Sequence, residues 1–364
     1  MPYLSVMTKI EERPYDDLLL KKGFGGFPTL AFMDAEGEVL AQPTDRSVQA
    51  FVACREALAV VDDVSARAAA GDAEAQAELL LLDNVLGRVK GEEFAKRAQA
   101  VRAGANAEQL ARIDQALVDN EVMDLVQQTY RGDAEAACVR MLAILDGGKH
   151  PSKTSRHAGG LWSALARWAE PKGDAALLRR IAAGMRADLP DDERLSKRAQ
   201  SLEEKATGLD TRDALVARRD KGEGGLEAQI LVIEVRLRAL SLAELRERLP
   251  AALAVATEAE KQELAQGEVD MQFSSLVNEF WGGGNREEIG QTMFDLLSGD
   301  GLAPSAQEAP TTWTCLSVWA SSSKDPARMD AVVKVLRARF AASGRIERTL
   351  KHLEDEAEKL RDDT

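Results

Sequence analysis

Trp162-Ser163-Ala164-Leu165-Ala166-Arg167-Trp168-Ala169 and Trp313-Thr314-Cys315-Leu316-Ser317-Val318-Trp319-Ala320 lie 151 positions apart. They share both tryptophans, the leucine and the closing alanine. The offset persists, with small drifts, on either side. Glu74-Ala75-Gln76 matches Glu227-Ala228-Gln229, Glu93 and Arg97 fall on Glu244 and Arg248, and Tyr130-Arg131-Gly132 falls on Trp281-Gly282-Gly283. Met141 pairs with Met293, Pro151-Ser152 with Pro304-Ser305, and Asp174 with Asp325. A collinear series over about 110 residues is the signature of an internal repeat, with drifts where loops absorb insertions. The sequence predicts two copies of one unit, residues 61–210 and 211–364, each of six to eight helices.

Composition says what the unit is made of. No proline falls between Pro43 and Pro151, and the span is rich in Ala, Leu, Glu, Gln and Arg, which is a helical composition. Ile346, Leu350, Leu353, Ala357 and Leu360 form one apolar helical stripe, and Met329, Val332, Val333, Leu336 and Phe340 form another. Glycine pairs and runs punctuate the helices. Gly282-Gly283-Gly284 follows a helix and lacks the Lys-Ser/Thr ending of a phosphate loop, so it reads as an inter-helix turn. On a helix Leu161, Leu165 and Trp168 share a face, and Trp162, Leu165 and Ala169 share the adjacent one. The tryptophans therefore read first as packing residues, each large enough to bury about 150–250 Å², and second as a ligand platform. The unit is longer than the ~34-residue tetratricopeptide period and lacks its Trp-Leu-Gly-Tyr signature, although Gly132 to Ala137 is compatible with such a helical hairpin.

The chain has 364 residues and a net charge of −14. No basic field would offset phosphate repulsion, which argues against a duplex nucleic-acid binder and against anionic membrane surfaces. No run approaches the ~18 apolar residues of a membrane-spanning helix. Met1 to Glu12 shows no signal-peptide pattern. Cys54, Cys138 and Cys315 are far apart, with no CxxC and no zinc-ligand pair, and read as small buried apolar residues. His150, His157 and His352 are sparse, and no metal or cofactor is expected.

The first 60 residues differ in kind. Short β-compatible runs, Tyr3 to Met7 and Thr29 to Met33, are bounded by turn residues. Asp34-Ala35-Glu36-Gly37 suits a hairpin loop with Gly37 at positive φ. The reading is strand 2–8, helix 14–22, strand 29–34, strand 37–42 and helix 45–60. Tyr15 to Phe24, the Phe27-Pro28-Thr29-Leu30 stretch and Gly37 resemble the thioredoxin superfamily, from its third strand through its last helix. The resemblance covers about 60 of 364 residues. It implies that Pro28 is the family's cis-proline, so that Phe27, Pro28 and Thr29 would hold extended polypeptide. Read from the residues alone, a trans proline opening an edge strand is the alternative.

The family's redox CxxC belongs to a strand and helix that would precede Met1, and no cysteine here substitutes for it. The family's second strand would lie between strands 2–8 and 29–34, so both keep an open edge as the chain is written. The expectation is an N-terminal truncation, with the start at an internal methionine of a longer gene.

The chain as a whole reads as mainly α, a partial thioredoxin-like α/β segment (1–60) followed by a duplicated helical, tetratricopeptide-like array. Such arrays present surfaces to protein partners, so the expected function is a non-catalytic protein-interaction module. The alternative is a truncated thiol–disulfide oxidoreductase whose array positions protein substrates. As written the chain reads as cytoplasmic; a signal peptide upstream of Met1 would make it exported.

Overall fold

The computed structural model describes residues 21–22, 30–43, 47–154, 156–340, 343–344 and 346–362. The expected strand 2–8, most of the helix 14–22 and the Phe27-Pro28-Thr29 loop lie outside them. Among the described residues the fold is mainly α, with fifteen α-helices and a single two-stranded sheet.

Strands β1 (Phe32–Met33) and β2 (Val39–Ala41) pair antiparallel, Phe32 opposite Ala41 and Met33 opposite Val39, with an irregularity between. Gly37, at φ 81°, lets the turn close: its N–H donates to Asp34 O, and Glu38 N–H donates to the Asp34 carboxylate. Helix α1 (Val48–Ala69) starts where the Ser47 hydroxyl accepts from Ala50 N–H, a cap worth about 1 kcal/mol. The sequence ends this helix at 60, yet it runs on to Ala69. Val61, Val64 and Ala68 continue the buried stripe of Cys54 and Ala57, and nothing interrupts it before Gly71.

The helices that follow are α2 (Ala73–Val85), α3 (Gly91–Val101), α4 (Ala107–Arg131), α5 (Ala134–Asp146), α6 (His157–Ala169), α7 (Ala175–Asp188) and α8 (Glu193–Asp220). Then come α9 (Glu227–Leu237), α10 (Leu242–Leu253), α11 (Glu258–Trp281), α12 (Arg286–Ser298), α13 (Ala309–Ser322), α14 (Pro326–Phe340) and α15 (Glu347–Asp362). From α2 to α7 the lengths run 13, 11, 25, 13, 13 and 14 residues. From α9 to α14 they run 11, 12, 24, 13, 14 and 15.

The backbone keeps the same step. Left-handed residues recur 151 positions apart at Gly71 and Gly222, Gly87 and Arg238, Gly132 and Gly283, and Gly173 and Lys324. Arg238 and Lys324 are the non-glycine residues with positive φ among the described residues, and each falls where the earlier run has glycine.

By internal contacts the chain forms two compact units. The first comprises 1–172 and 176–203, the second 173–175 and 204–364. In the first, Leu80, Leu81, Phe94, Ala98 and Ile113 join α2, α3 and α4. In the second, Leu231, Leu245 and Leu264 join α9, α10 and α11, and a larger core gathers Phe280, Met293, Trp313, Leu316, Trp319, Met329, Leu336, Leu350 and Leu353.

Trp162, Trp313 and Trp319 are buried and Trp168 is half-buried, so packing is their main role. Two of them also share one polar device. Trp168 Nε1–H donates to Glu135 Oε2 (2.7 Å), while Lys172 pairs with that carboxylate and lies 4.4 Å from the ring centroid. Trp319 Nε1–H donates to Glu287 Oε2 (3.0 Å), while Arg328 pairs with it and lies 4.6 Å from the ring centroid. Glu135 and Glu287 are each the second residue of their helix, where the helix dipole favours an anion. Lys172 and then Trp168 hold Glu135 below its ordinary 4.5; Arg328 chiefly, with Trp319, does the same for Glu287.

A depressed carboxylate stabilises the fold above its unfolded pKa and loses that effect as pH falls through the lower folded value. On acidification below 4.5, the Trp168 and Trp319 indole N–H resonances are expected to titrate together in ¹⁵N NMR. Flat indole shifts across the carboxylate range would contradict these bonds.

Candidate functional site: a cleft in the second unit and its counterpart in the first

Gln266 and Asp270 stand one turn apart on α11. The Gln266 amide donates to Asp270 Oδ1 (3.0 Å) and to Ala303 O (3.0 Å), and Ser305 N–H donates to Asp270 Oδ1 (2.7 Å). The pair pins the loop between α12 and α13 against the long helix. On α4 the Gln115 amide donates to Asp119 Oδ1 (3.1 Å) and His150 O (3.0 Å), and Ser152 donates to Asp119 through N–H (2.6 Å) and Oγ–H (2.5 Å). Gln115 and Asp119 precede Gln266 and Asp270 by 151 positions. Sequence reasoning passed over them, because Gln and Asp four apart are common on helices and the spacing alone says nothing of the bonds they make.

Beside Gln266 and Asp270 lies a cleft of about 570 Å³, within the second unit and bounded by α9, α11 and the segments flanking α10 and α13. Its floor is apolar: Val235, Leu240, Leu242 and Met271, all half-buried. Gly267 lets α9 and α11 approach there, since a Cβ at that position would stand 2.2 Å from Val235 Cγ1. The rim is polar and both of its arginines are paired. Arg236 donates to Glu263 (2.5 Å), and Arg238 is hydrogen-bonded to the buried Glu308. Ser274, Asn278 and Gln307 also line the rim, and their side chains make no hydrogen bond to other described residues. Trp281, half exposed, continues the lining face of α11, three residues beyond Asn278.

Arg238 is the strained member of the rim. It ends α9 at φ 54°, where Gly87 ends α2 at φ 72° with the same pattern of closing bonds. A left-handed non-glycine residue costs about 1–2 kcal/mol, and such strain gathers at functional sites.

The counterpart groove in the first unit holds about 220 Å³ and is lined by α4, the C-terminal end of α2, Ala50 and Ala53 of α1, and Lys90, Arg156 and His157. Val235, Leu242, Met271 and Asn278 correspond to Asn84, Gly91, Asn120 and Gln127. The Asn120 amide donates to Asn84 Oδ1 (3.0 Å) and Ala116 O (2.8 Å), and its oxygen accepts from Gly91 N–H (2.9 Å). Burial, with the Arg156 charge, pulls the Lys90 pKa down, and burial pushes the Asp124 carboxyl up.

Phe27, Pro28 and Thr29 lie outside the described residues. Cys54, Cys138 and Cys315 are buried, and burial raises all three thiols, Cys138 and Cys315 to about 11, the opposite of the shift that activates a thiolate. Gly282 to Gly284 form the turn between α11 and α12. Among the described residues no cluster of His, Cys, Asp and Glu could hold a metal ion, and no helix is long and apolar enough to cross a membrane. No protein-family model, curated protein or solved structure matches the chain.

Proposed function

We propose that the chain is a non-catalytic protein-interaction module, a duplicated helical-hairpin array whose second-unit cleft receives a short, uncharged, aliphatic segment of a partner polypeptide. The duplication rests on the tryptophan octapeptides, the matching helix lengths, the left-handed positions and the Gln–Asp loop anchors, all at the same or nearly the same step. The hairpin 30–42 is in keeping with the closing hairpin of a thioredoxin-like domain, as the resemblance of residues 1–60 implies.

The cleft itself carries the functional reading. Its floor offers apolar side chains, Asn278 and Gln307 offer paired donors and acceptors that match a peptide main chain, its two arginines are already paired with Glu263 and Glu308, and Asp270 is engaged by Gln266 and Ser305. About 570 Å³ is within the range of ligand pockets.

Panning a displayed random-peptide library on the full chain is expected to enrich a short aliphatic motif. Met271→Arg, which places a charge on the floor, should reduce binding of the enriched peptides at least about tenfold, whereas Val139→Arg, at an exposed position, should not. Asn278→Ala leaves the floor intact and should cost about fivefold, the worth of one hydrogen bond. No shared motif, or a motif indifferent to both cleft variants, would overturn the reading.

A further inference from the structure

The two grooves occupy corresponding places, yet the residues that make the second a cleft make the first a joint. In the second unit Val235, Met271 and Leu242 leave an apolar floor, and the polar link between α9 and α11, Arg236 to Glu263, lies on the rim. In the first unit the corresponding Asn84, Asn120 and Gly91 are tied together, because Asn120 bonds at once to α2 through Asn84 and to the first residue of α3 through Gly91 N–H. The Asn120 amide uses both of its polar atoms inside the protein, and Ala50 and Ala53 of α1 wall the groove further. What remains is about 220 Å³ against about 570 Å³.

An aliphatic occupant entering the first groove would have to break a satisfied amide network. Its desolvation cost is of the same order as the gain from burying one side chain. The strained backbone differs in the same sense. The second unit keeps Arg238 at a left-handed position on the cleft rim, and the first has the unstrained Gly87 there.

We infer that ligand binding is confined to the second unit, and that the Asn84–Asn120–Gly91 bridge has converted the equivalent first-unit site into a structural joint between α2, α3 and α4. The inference rests on the cleft reading above. It specifies one site per chain for a neutral aliphatic peptide, with Asn84 and Asn120 as the residues that deny the second.

Each groove carries its own reporter, Met271 in the cleft and Met123 in the counterpart. With ¹³C-methyl methionine labelling of the full chain, N-acetyl-leucyl-leucinamide serves as the probe. The Met271 methyl is expected to shift saturably and the Met123 methyl to stay put. In Asn84→Val/Asn120→Met the Met123 methyl should gain a saturable shift. Asn120→Ala, which removes the bridge without adding bulk, should do so more weakly and covers the case in which the double variant does not fold. Met123 responding in the parent chain with the affinity of Met271 would overturn the inference, as would a silent Met123 in folded bridge variants. Silence at both methyls in the parent chain would overturn the cleft reading itself, and this inference with it.

Discussion

Gly184→Val is expected to lower the free energy of unfolding by about 3 kcal/mol, the upper part of the range for overpacking a close-packed core. A Cβ on Gly184, in α7, would stand 2.2 Å from Trp162 Cη2 and 2.3 Å from Cζ2 on α6. The ring has nowhere to go. Trp162 is buried, and its Nε1–H donates to the buried carboxylate of Asp188 (2.8 Å), so swinging the indole outward would break that bond and leave Asp188 with Lys153 at 3.7 Å.

The control is Trp162→Ala, which by itself should cost about 3–5 kcal/mol. In that background the valine enters vacated space, and the double variant should fall short of the sum by about 1 kcal/mol or more. Urea titration of the four proteins measures this. Simple additivity would mean that the ring does not rest on Gly184. Gly290 supports Trp319 in the same manner, a Cβ there lying 2.3 Å from the ring.

The second large effect is expected at the loop anchors. Asp119→Ala removes the acceptor for Ser152 N–H, Ser152 Oγ–H and the Gln115 amide, and Asp270→Ala removes it for Ser305 N–H and the Gln266 amide. Stranding such partly buried donors costs about 1–3 kcal/mol. Asp119→Ala and Asp270→Ala should both fall within that range, since each carboxylate accepts from two partly buried donors, the third donor to Asp119, the Gln115 amide, being exposed. Amide hydrogen exchange gives a local readout: Ser152 N–H and Ser305 N–H should lose protection in their respective variants. Unchanged exchange at both would show that these bonds do not hold the loops.

The 151-residue step was legible because tryptophan is rare and the two octapeptides share four letters, so identity at one offset sufficed. The stripes of α14 and α15 were legible because each faces a single core, and Met329, Val332, Leu336, Leu350 and Leu353 are all buried. The loop anchors were present in the sequence, but Gln and Asp are common on helices, and two letters four apart carry no weight until the bonds are seen.

The tryptophan seats were beyond pattern reading. Gly184 supports the first tryptophan of one octapeptide and Gly290 the second tryptophan of the other, so the offset does not relate them. Arg238 was hidden for another reason. The left-handed position it shares with Gly87, 151 residues earlier, is invisible in a sequence without a glycine to mark it. The cleft escaped notice because its floor differs from its counterpart at each decisive residue, and a search for identity discards such positions.

Asp270 belongs both to the loop anchor and to the cleft wall. An occupant and the loop 299–308 are therefore thermodynamically linked through one carboxylate. Whatever binds with the Ser305 bond intact lowers the free energy of the ordered loop by RT ln(1 + [L]/Kd). By reciprocity, the ratio of ligand affinities for the ordered and unordered loop is also the factor by which a saturating ligand shifts the loop toward order. Substitutions among residues 299–306, outside the cleft lining, can thus tune binding without touching the ligand, a handle by which selection could adjust affinity while leaving the apolar floor unaltered.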